Sequence, residues 1–195
     1  MDYDEKEMKE LIERIRLYVV RSVKKERYEH SLRTAEFSAR MGRIYQVDDT
    51  RCYLAGIAHD MCKTMSEKDL LKTAARDGRS ISTEEAEQPD LLHGRAAAVL
   101  LQELFNVSDA EVLQAVACHT LGGVHLCALA KILYAADKIE PGRPHVTSEY
   151  HERLLKMSLD DLVATIVQES VDYLHKKGKT EARITKEFLS ELRGE

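Results

Sequence analysis

Apolar residues recur every three or four positions along most of the chain, and this spacing predicts amphipathic helices. Leu11, Ile15 and Val19 provide the first example. No segment alternates apolar and polar residues with period two, and the chain has only three prolines. We therefore predict an all-α fold in one domain over residues 1–195. Further helices are predicted at about 26–45, 48–58, 67–78, 93–105, 109–119, 126–139, 158–178 and in the final ITKEFLSEL segment.

Turn and capping residues indicate where these helices begin and end. The segments SEKD (66–69) and SDAE (108–111) are typical of helix N-termini, where a side-chain oxygen accepts a backbone hydrogen bond. The glycines at 122–123 and the prolines within 141–144 interrupt the helical pattern. Segment 78–90, GRSISTEEAEQPD, is polar and rich in turn residues, so we predict an exposed loop there.

Composition and charge exclude several classes of protein. A net charge of −5 offers no basic face for DNA or RNA, so no nucleic-acid partner is expected. The apolar stretch LCALAKILYAA is too short to span a bilayer, and the acidic N-terminus is unlike a secretory signal, so we expect a cytoplasmic protein. The cysteines form no CxxC pair and are expected to be free, buried thiols: Cys52, Cys62, Cys118 and Cys127.

Six ionisable residues lie among apolar neighbours at helix ends or on helix faces. Taken singly, each has an ordinary explanation: a buried histidine with a hydrogen bond, an aspartate capping a helix, or an aspartate paired with lysine or arginine. Together they indicate a metal, because a cation compensates several buried polar groups at once. Imidazole with carboxylate suits iron, manganese, cobalt, nickel or zinc. The six are His30, His59, Asp60, His93, His119 and Asp137.

Four short motifs in order resemble the HD superfamily of metal-dependent phosphohydrolases in its two-metal form. They are HDMCK (59–63), LLHG (91–94), CHTLG (118–122) and ADKIEPGR (136–143). These motifs are most similar to the symmetrical diadenosine-tetraphosphate hydrolases. The resemblance runs from about residue 30 to residue 143. It implies an HD-domain helical bundle with a metal-site core at about 26–145 and C-terminal helices, 150–195, packed on it.

The resemblance also implies roles for the individual residues. One metal, expected to be iron, would be held by His30, His59, Asp60 and Asp137. A second would share the bridging Asp60 and add His93 and His119. Asp60 and Lys63 are the expected catalytic residues, and the expected substrate-binding residues are Lys63, Thr120, Arg143 and Arg33.

The implied reaction is hydrolysis of a dinucleoside polyphosphate. Hydroxide bridging the two metals would attack a phosphorus atom, and basic residues would offset the charge that grows on the phosphoryl oxygens. Diadenosine tetraphosphate would then give two ADP. The alternatives are another nucleotide substrate, an oxygenase using two irons, or a non-catalytic metal-binding module. The oligomeric state is left open, with a homodimer as one option.

Some positions depart from the family pattern or from the ligand set. Leu121 stands in place of a threonine, Gly123 in place of a basic or polar residue, and Arg95-Ala96 in place of Pro-Val. These changes leave the expected ligands intact and concern substrate preference. Four histidines lie outside the ligand pattern; His125 and His145 are expected at a pocket mouth, and His151 and His175 on solvated helix faces.

Overall fold

The computed structural model of the chain describes residues 4–195, and the regular structure in that range consists of helices without any strand. The all-α prediction is confirmed. The helices are α1 (Glu5–Ser22), α2 (Lys25–Tyr45), α3 (Asp49–Ala58), α4 (Glu67–Ala74), α5 (Thr83–Glu87), α6 (His93–Phe105), α7 (Ala110–Cys118), α8 (Ala128–Ile139), α9 (Ser148–Leu154), α10 (Leu159–Lys176) and α11 (Arg183–Arg193). Two 3₁₀ turns, Ala75–Asp77 and Pro89–Leu92, follow α4 and α5.

Helix α8 lies at the centre of the bundle. It packs against α2, α3 and α7 on one side and α10 on the other, which explains why its apolar residues face several directions. The C-terminal helices cover this second side. Phe188 of α11 is fully buried and meets the Tyr134 ring edge-on, with centroids 5.3 Å apart. One apolar core thus includes residues from α1 to α11.

Two glycines allow the site-bearing helices to approach closely. A Cβ at Gly56 of α3 would lie 2.5 Å from the Cα of Ala35 in α2. A Cβ at Gly94 of α6 would lie 2.7 Å from the carbonyl oxygen of Val116 in α7. Both distances are shorter than a carbon atom permits, so only glycine allows these crossings. Each glycine lies near a predicted ligand, because Gly56 precedes His59 by one helical turn and Gly94 follows His93.

Two predictions about local structure are wrong, and one helix has no prediction. Segment 78–90 is not simply a loop, because α5 and a 3₁₀ turn occupy much of it, and Ser82 and Glu85 form a capping box. The cap of α7 is Asp109, whose carboxylate accepts from the backbone amides of Glu111 and Val112, rather than Ser108. Helix α9, capped by Thr147, was not predicted. These elements are short, and tertiary contacts rather than periodicity stabilise such helices.

His151 also contradicts its prediction, because it is buried rather than solvated. Its Nε2 donates to the carbonyl oxygen of Ile139, and its ring stacks on Phe37 with centroids 4.6 Å apart. The unpredicted helix α9 places it there. His151 therefore joins α9 to the second half of α2 and to the end of α8.

None of the helices described between residues 4 and 195 is both long and apolar enough to cross a membrane.

Candidate metal centre

The structure brings all six predicted ligands together in the middle of the bundle. They come from five places in the chain: the first half of α2, the residues after α3, the start of α6, the residue after α7 and the last turns of α8. Five of the six are buried, and the side chain of the sixth is 15% exposed. The six are His30, His59, Asp60, His93, His119 and Asp137.

The four histidines share one orientation. In each of them Nδ1 faces a fixed oxygen acceptor and carries the proton of the neutral ring, so Nε2 is the atom that can take up a further proton or a metal ion. His30 faces the carboxylate of Glu140 at 3.1 Å, and the other three face backbone carbonyl oxygens. Hydrogen bonds of this kind fix the ring and raise its basicity in metal sites.

The four Nε2 atoms converge on the two aspartates. Oδ1 of Asp60 lies 3.1 Å from Nε2 of His93 and 3.8 Å from that of His119. Oδ2 of Asp60 lies on the other side, 3.4 Å from Nε2 of His59 and 3.8 Å from that of His30. The two carboxylate oxygens of Asp60 therefore face two different pairs of histidines.

Asp137 completes the second of these groups. Its Oδ1 lies 3.0 Å from Nε2 of His30 and 3.6 Å from Nε2 of His59. The ligand atoms of these three residues all lie within 4.8 Å of one another, as do those of His59, Asp60 and His119. Both groups have the nitrogen and oxygen donors that suit a transition metal.

Two contacts show that the protein alone does not satisfy this cluster. Nε2 of His59 is fully buried and has no hydrogen-bond partner within residues 4–195. Nε2 of His93 lies 3.0 Å from Nε2 of His119, so two lone pairs face each other. A buried, unpaired polar atom is costly, and a cation between these atoms would remove the cost. The residues present therefore fit a metal.

The electrostatics of the cluster agree with this fit. Burial opposes protonation of His59, but the carboxylates of Asp60 and Asp137 outweigh burial and raise its pKa to about 10. Burial would raise the pKa of Asp60, but His59 and His93 lower it far below its usual range. The centre therefore holds ionised carboxylates that attract positive charge. A bound metal cation would neutralise their charge as a bound proton does.

Several charged residues around the ligands were not predicted. Arg27 donates to Oδ2 of Asp60 at 2.8 Å, and Lys138 lies 3.5 Å from Oδ2 of Asp137. Glu140 is buried and supports His30 from behind. A sequence signal existed for two of them: Arg27 precedes His30 by three positions on the same helix face, and Glu140 belongs to the ADKIEPGR motif.

A cavity of about 240 Å³ opens over the centre. Three of the predicted substrate-binding residues line it: Lys63, Thr120 and Arg143. Lys63 also pairs with Asp90 at 2.9 Å, and Arg143 with Oδ1 of Asp137 at 2.9 Å.

Arg33, the fourth predicted substrate contact, lies elsewhere. It pairs with Glu140 at 2.7 Å and lines a neighbouring cavity of about 300 Å³, which it shares with Arg143. Arg33 is therefore held behind His30, on the far side of that ring from the aspartates.

The remaining histidines lie outside the ligand cluster. The His125 side chain is 89% exposed and lies 3.3 Å from Glu191, and His175 pairs with Glu181. His145 lines a larger cavity beside the centre.

The cysteines are free, as predicted, but only Cys52 and Cys62 are buried, whereas Cys118 and Cys127 are half-buried. Burial raises the pKa of the Cys62 thiol to about 12 and also raises that of Cys118.

Comparison with known proteins agrees with this geometry. The HD domain family model matches residues 27–142, a range that contains every predicted ligand. A symmetrical bis(5'-nucleosyl)-tetraphosphatase of Staphylococcus aureus is 30% identical over 87% of this chain and 88% of its own length. The chain belongs to this family of HD-domain hydrolases. It is therefore an enzyme built on a metal-dependent phosphohydrolase fold.

Two further proteins resemble this HD-domain hydrolase. A symmetrical bis(5'-nucleosyl)-tetraphosphatase of Halalkalibacterium halodurans is 29% identical over 78% of the chain and 81% of its own length. The crystal structure of an HD-superfamily hydrolase from Clostridium acetobutylicum, described as involved in NAD metabolism, superimposes with a TM-score of 0.87. It is 26% identical, and the match covers 93% of this chain and 96% of that one.

Proposed function

We propose that this hydrolase cleaves diadenosine tetraphosphate symmetrically into two ADP at a centre for two divalent metal ions. The observation that carries the proposal is that the two carboxylate oxygens of Asp60 face separate pairs of histidines. The names of the Staphylococcus and Halalkalibacterium relatives support the substrate. The cytoplasmic location, the lack of a nucleic-acid partner and a homodimer stay predictions.

The six ligands would be shared between the two ions through Asp60. One ion would take His30, His59 and Asp137, and the other His93 and His119. The nitrogen and oxygen donors suit iron, the expected metal, as well as manganese, cobalt, nickel or zinc. When bound, two such cations lower the pKa of water in the site and so supply hydroxide near neutral pH.

The chain's own basic residues would bind the polyphosphate. Arg27, Lys63, Lys138 and Arg143 all line the cavity over the centre. Their positive charges would hold a phosphate chain against the ligands and offset charge on the phosphoryl oxygens as the bond breaks. The Thr120 hydroxyl lines the same cavity and can donate to a phosphate oxygen. This local field explains how a protein with a net charge of −5 would attract an anion.

Product analysis tests the proposal. The protein is purified anaerobically with ferrous iron, incubated with diadenosine tetraphosphate, and the nucleotides are separated by ion exchange. We expect ADP as the sole product, lost in Asp60→Ala and retained in Asp77→Asn, a matched change of an aspartate outside the centre. ATP plus AMP would refute symmetrical cleavage. No turnover by the fully metallated protein would refute the substrate.

A further inference from the structure

A third cavity, of about 830 Å³, lies beside the metal centre. It is formed by the end of α8, the residues that follow it, α9 and the second half of α10. Its volume is within the range of about 300–1,000 Å³ that is usual for sites binding small organic molecules.

This cavity adjoins the cavity over the centre. Lys138 and Arg143 line both of them. The guanidinium of Arg143 lies 2.9 Å from Asp137, and the amine of Lys138 lies 3.5 Å from the same carboxylate. A ligand that reaches across the shared edge would therefore place its anionic part against two cations at the metal centre.

The walls of the cavity suit a flat, partly apolar group. Ile139 and Ile166 are buried and contribute an aliphatic surface. Tyr150, Tyr173 and His145 add aromatic rings. Tyr173 is 62% exposed, an unusual exposure for a large aromatic residue in this chain. Nucleobases stack on such side chains whatever their sequence, because every base has a π-face.

The lining of the cavity carries charges of both signs. Lys138 and Arg143 lie at the edge shared with the metal centre, whereas α10 brings the carboxylates of Glu169 and Asp172 together with the amine of Lys176. Glu169 already accepts a hydrogen bond from the hydroxyl of Tyr150. A nucleotide has the complementary polarity, with phosphate acceptors at one end and ribose hydroxyl and base amino donors at the other.

From these features we propose that the 830 Å³ cavity binds one nucleoside of the substrate, with Tyr173 as the stacking residue for its base. The inference rests on the proposed function, since it assigns the nucleoside end of the same substrate. The phosphates would then pass Lys138 and Arg143 to reach the six ligands.

A comparison of two ligands isolates this subsite. ADP and inorganic pyrophosphate carry the same two phosphates and differ by the nucleoside, so the ratio of their dissociation constants reports the nucleoside contribution. Both are titrated by calorimetry into the full chain with bound manganese. We expect Tyr173→Ala to weaken ADP about tenfold, the scale of one base–aromatic stack, and to leave pyrophosphate unchanged.

Two further variants make the result specific. Tyr173→Phe keeps the ring and should bind ADP as the wild type does. His145→Ala removes a second aromatic wall of the cavity and should weaken ADP binding while leaving pyrophosphate binding unchanged. It tests the same cavity even if Tyr173→Ala impairs folding. Equal losses for both ligands, or no loss of ADP affinity in either alanine variant, would overturn the proposal.

The outcome is separable from the test of the proposed function. If the wild type fails to cleave diadenosine tetraphosphate but binds ADP in a manner that depends on Tyr173, the substrate is wrong and the nucleoside subsite stands. If the wild type yields two ADP but Tyr173→Ala leaves the ratio of the ADP and pyrophosphate dissociation constants unchanged, the function stands and the subsite is wrong.

Discussion

Two clusters of buried charge lie in this bundle, and their hydrogen bonding differs. In the first, Arg95 of α6 reaches the segment before it and uses all of its donors. Its Nε and Nη2 donate to Asp77, its Nη1 to Glu85, and the remaining protons to the carbonyl oxygens of Ser80 and Arg79. Arg79 also pairs with Asp77, so two guanidiniums meet two carboxylates. This cluster is complete without any ligand.

The second cluster, the metal centre, is incomplete. Its histidines are as well fixed as Arg95, but their Nε2 atoms point at oxygens or at each other, and that of His59 has no partner within residues 4–195. The difference shows how to distinguish structural from functional buried charge. In a structural cluster every donor is paired with an acceptor, whereas a cation-binding site has an excess of acceptors without donors.

The largest expected effect is the loss of enzymatic activity when the metal centre, rather than the Arg95 cluster, is changed. Asp60→Asn should abolish hydrolysis, because it removes negative charge from the residue that faces both histidine pairs. Thermal unfolding of the metal-free chain should show that the variant still folds. Steady-state turnover with diadenosine tetraphosphate measures the loss, and appreciable turnover by Asp60→Asn would remove the distinction drawn here.

Arg95→Ala should show the opposite behaviour, a loss of stability with little change at the centre. It leaves Asp77 and Glu85 without their main partner, and breaking a buried pair costs about 3–5 kcal/mol. Urea unfolding measures the free energy of unfolding. If the variant is as stable as the wild type, the cluster does not hold the segment in place.

Glu140→Ala tests whether the hydrogen bond between Glu140 and His30 contributes to metal affinity. The change removes the acceptor that orients His30 and the partner of Arg33. Loss of such a second partner lowers metal affinity by about 10–100-fold. Metal titration with a chelator competitor measures it, and the variant Glu169→Ala, a glutamate at the neighbouring cavity, serves as the control. Equal affinities would mean that packing alone fixes His30.

The smallest effect is a pH dependence in the Arg95 cluster. Burial would raise the pKa of Asp77, but Arg95 and Arg79 outweigh it and lower the pKa from 3.8 to about 2. A carboxyl with a lowered folded-state pKa stabilises above its unfolded pKa, and this stabilisation is lost as the pH falls from 3.8 to about 2. The expected contribution at pH 7 is about 2 kcal/mol.

Urea unfolding of wild type and Asp77→Asn at several pH values measures this term. The difference between the two proteins should be constant from pH 7 to about pH 5 and should shrink below that. A difference that is independent of pH would show that the charge of Asp77 contributes nothing.

The sequence predicted the elements and ligands that depend on local pattern. Helical periodicity predicted the long helices, and the order of the ionisable residues and motifs predicted His30, His59 and the other four candidate ligands. It also marked Arg95 as a departure from the family. The role of Arg95 could not follow, because its partners lie 10 to 18 positions away on a segment with short helices.

The errors have the same origin. Helix α5 has five residues, too few for a periodic pattern, and its capping box lies inside a polar stretch typical of loops. His151 was assigned to solvent because α9 is also short and its burial depends on contacts with Phe37 and Ile139. The contact of Arg27 with Asp60 spans 33 positions, so it required the tertiary structure.

Metal stoichiometry tests the central claim most directly. The metal-free chain is titrated with manganese by calorimetry, and bound metal is then counted by elemental analysis. The account predicts two ions per chain in the wild type and in Asp77→Asn, and fewer in Asp60→Asn. A wild type that binds no ion, or an Asp60→Asn variant that binds two as tightly as the wild type, would contradict it.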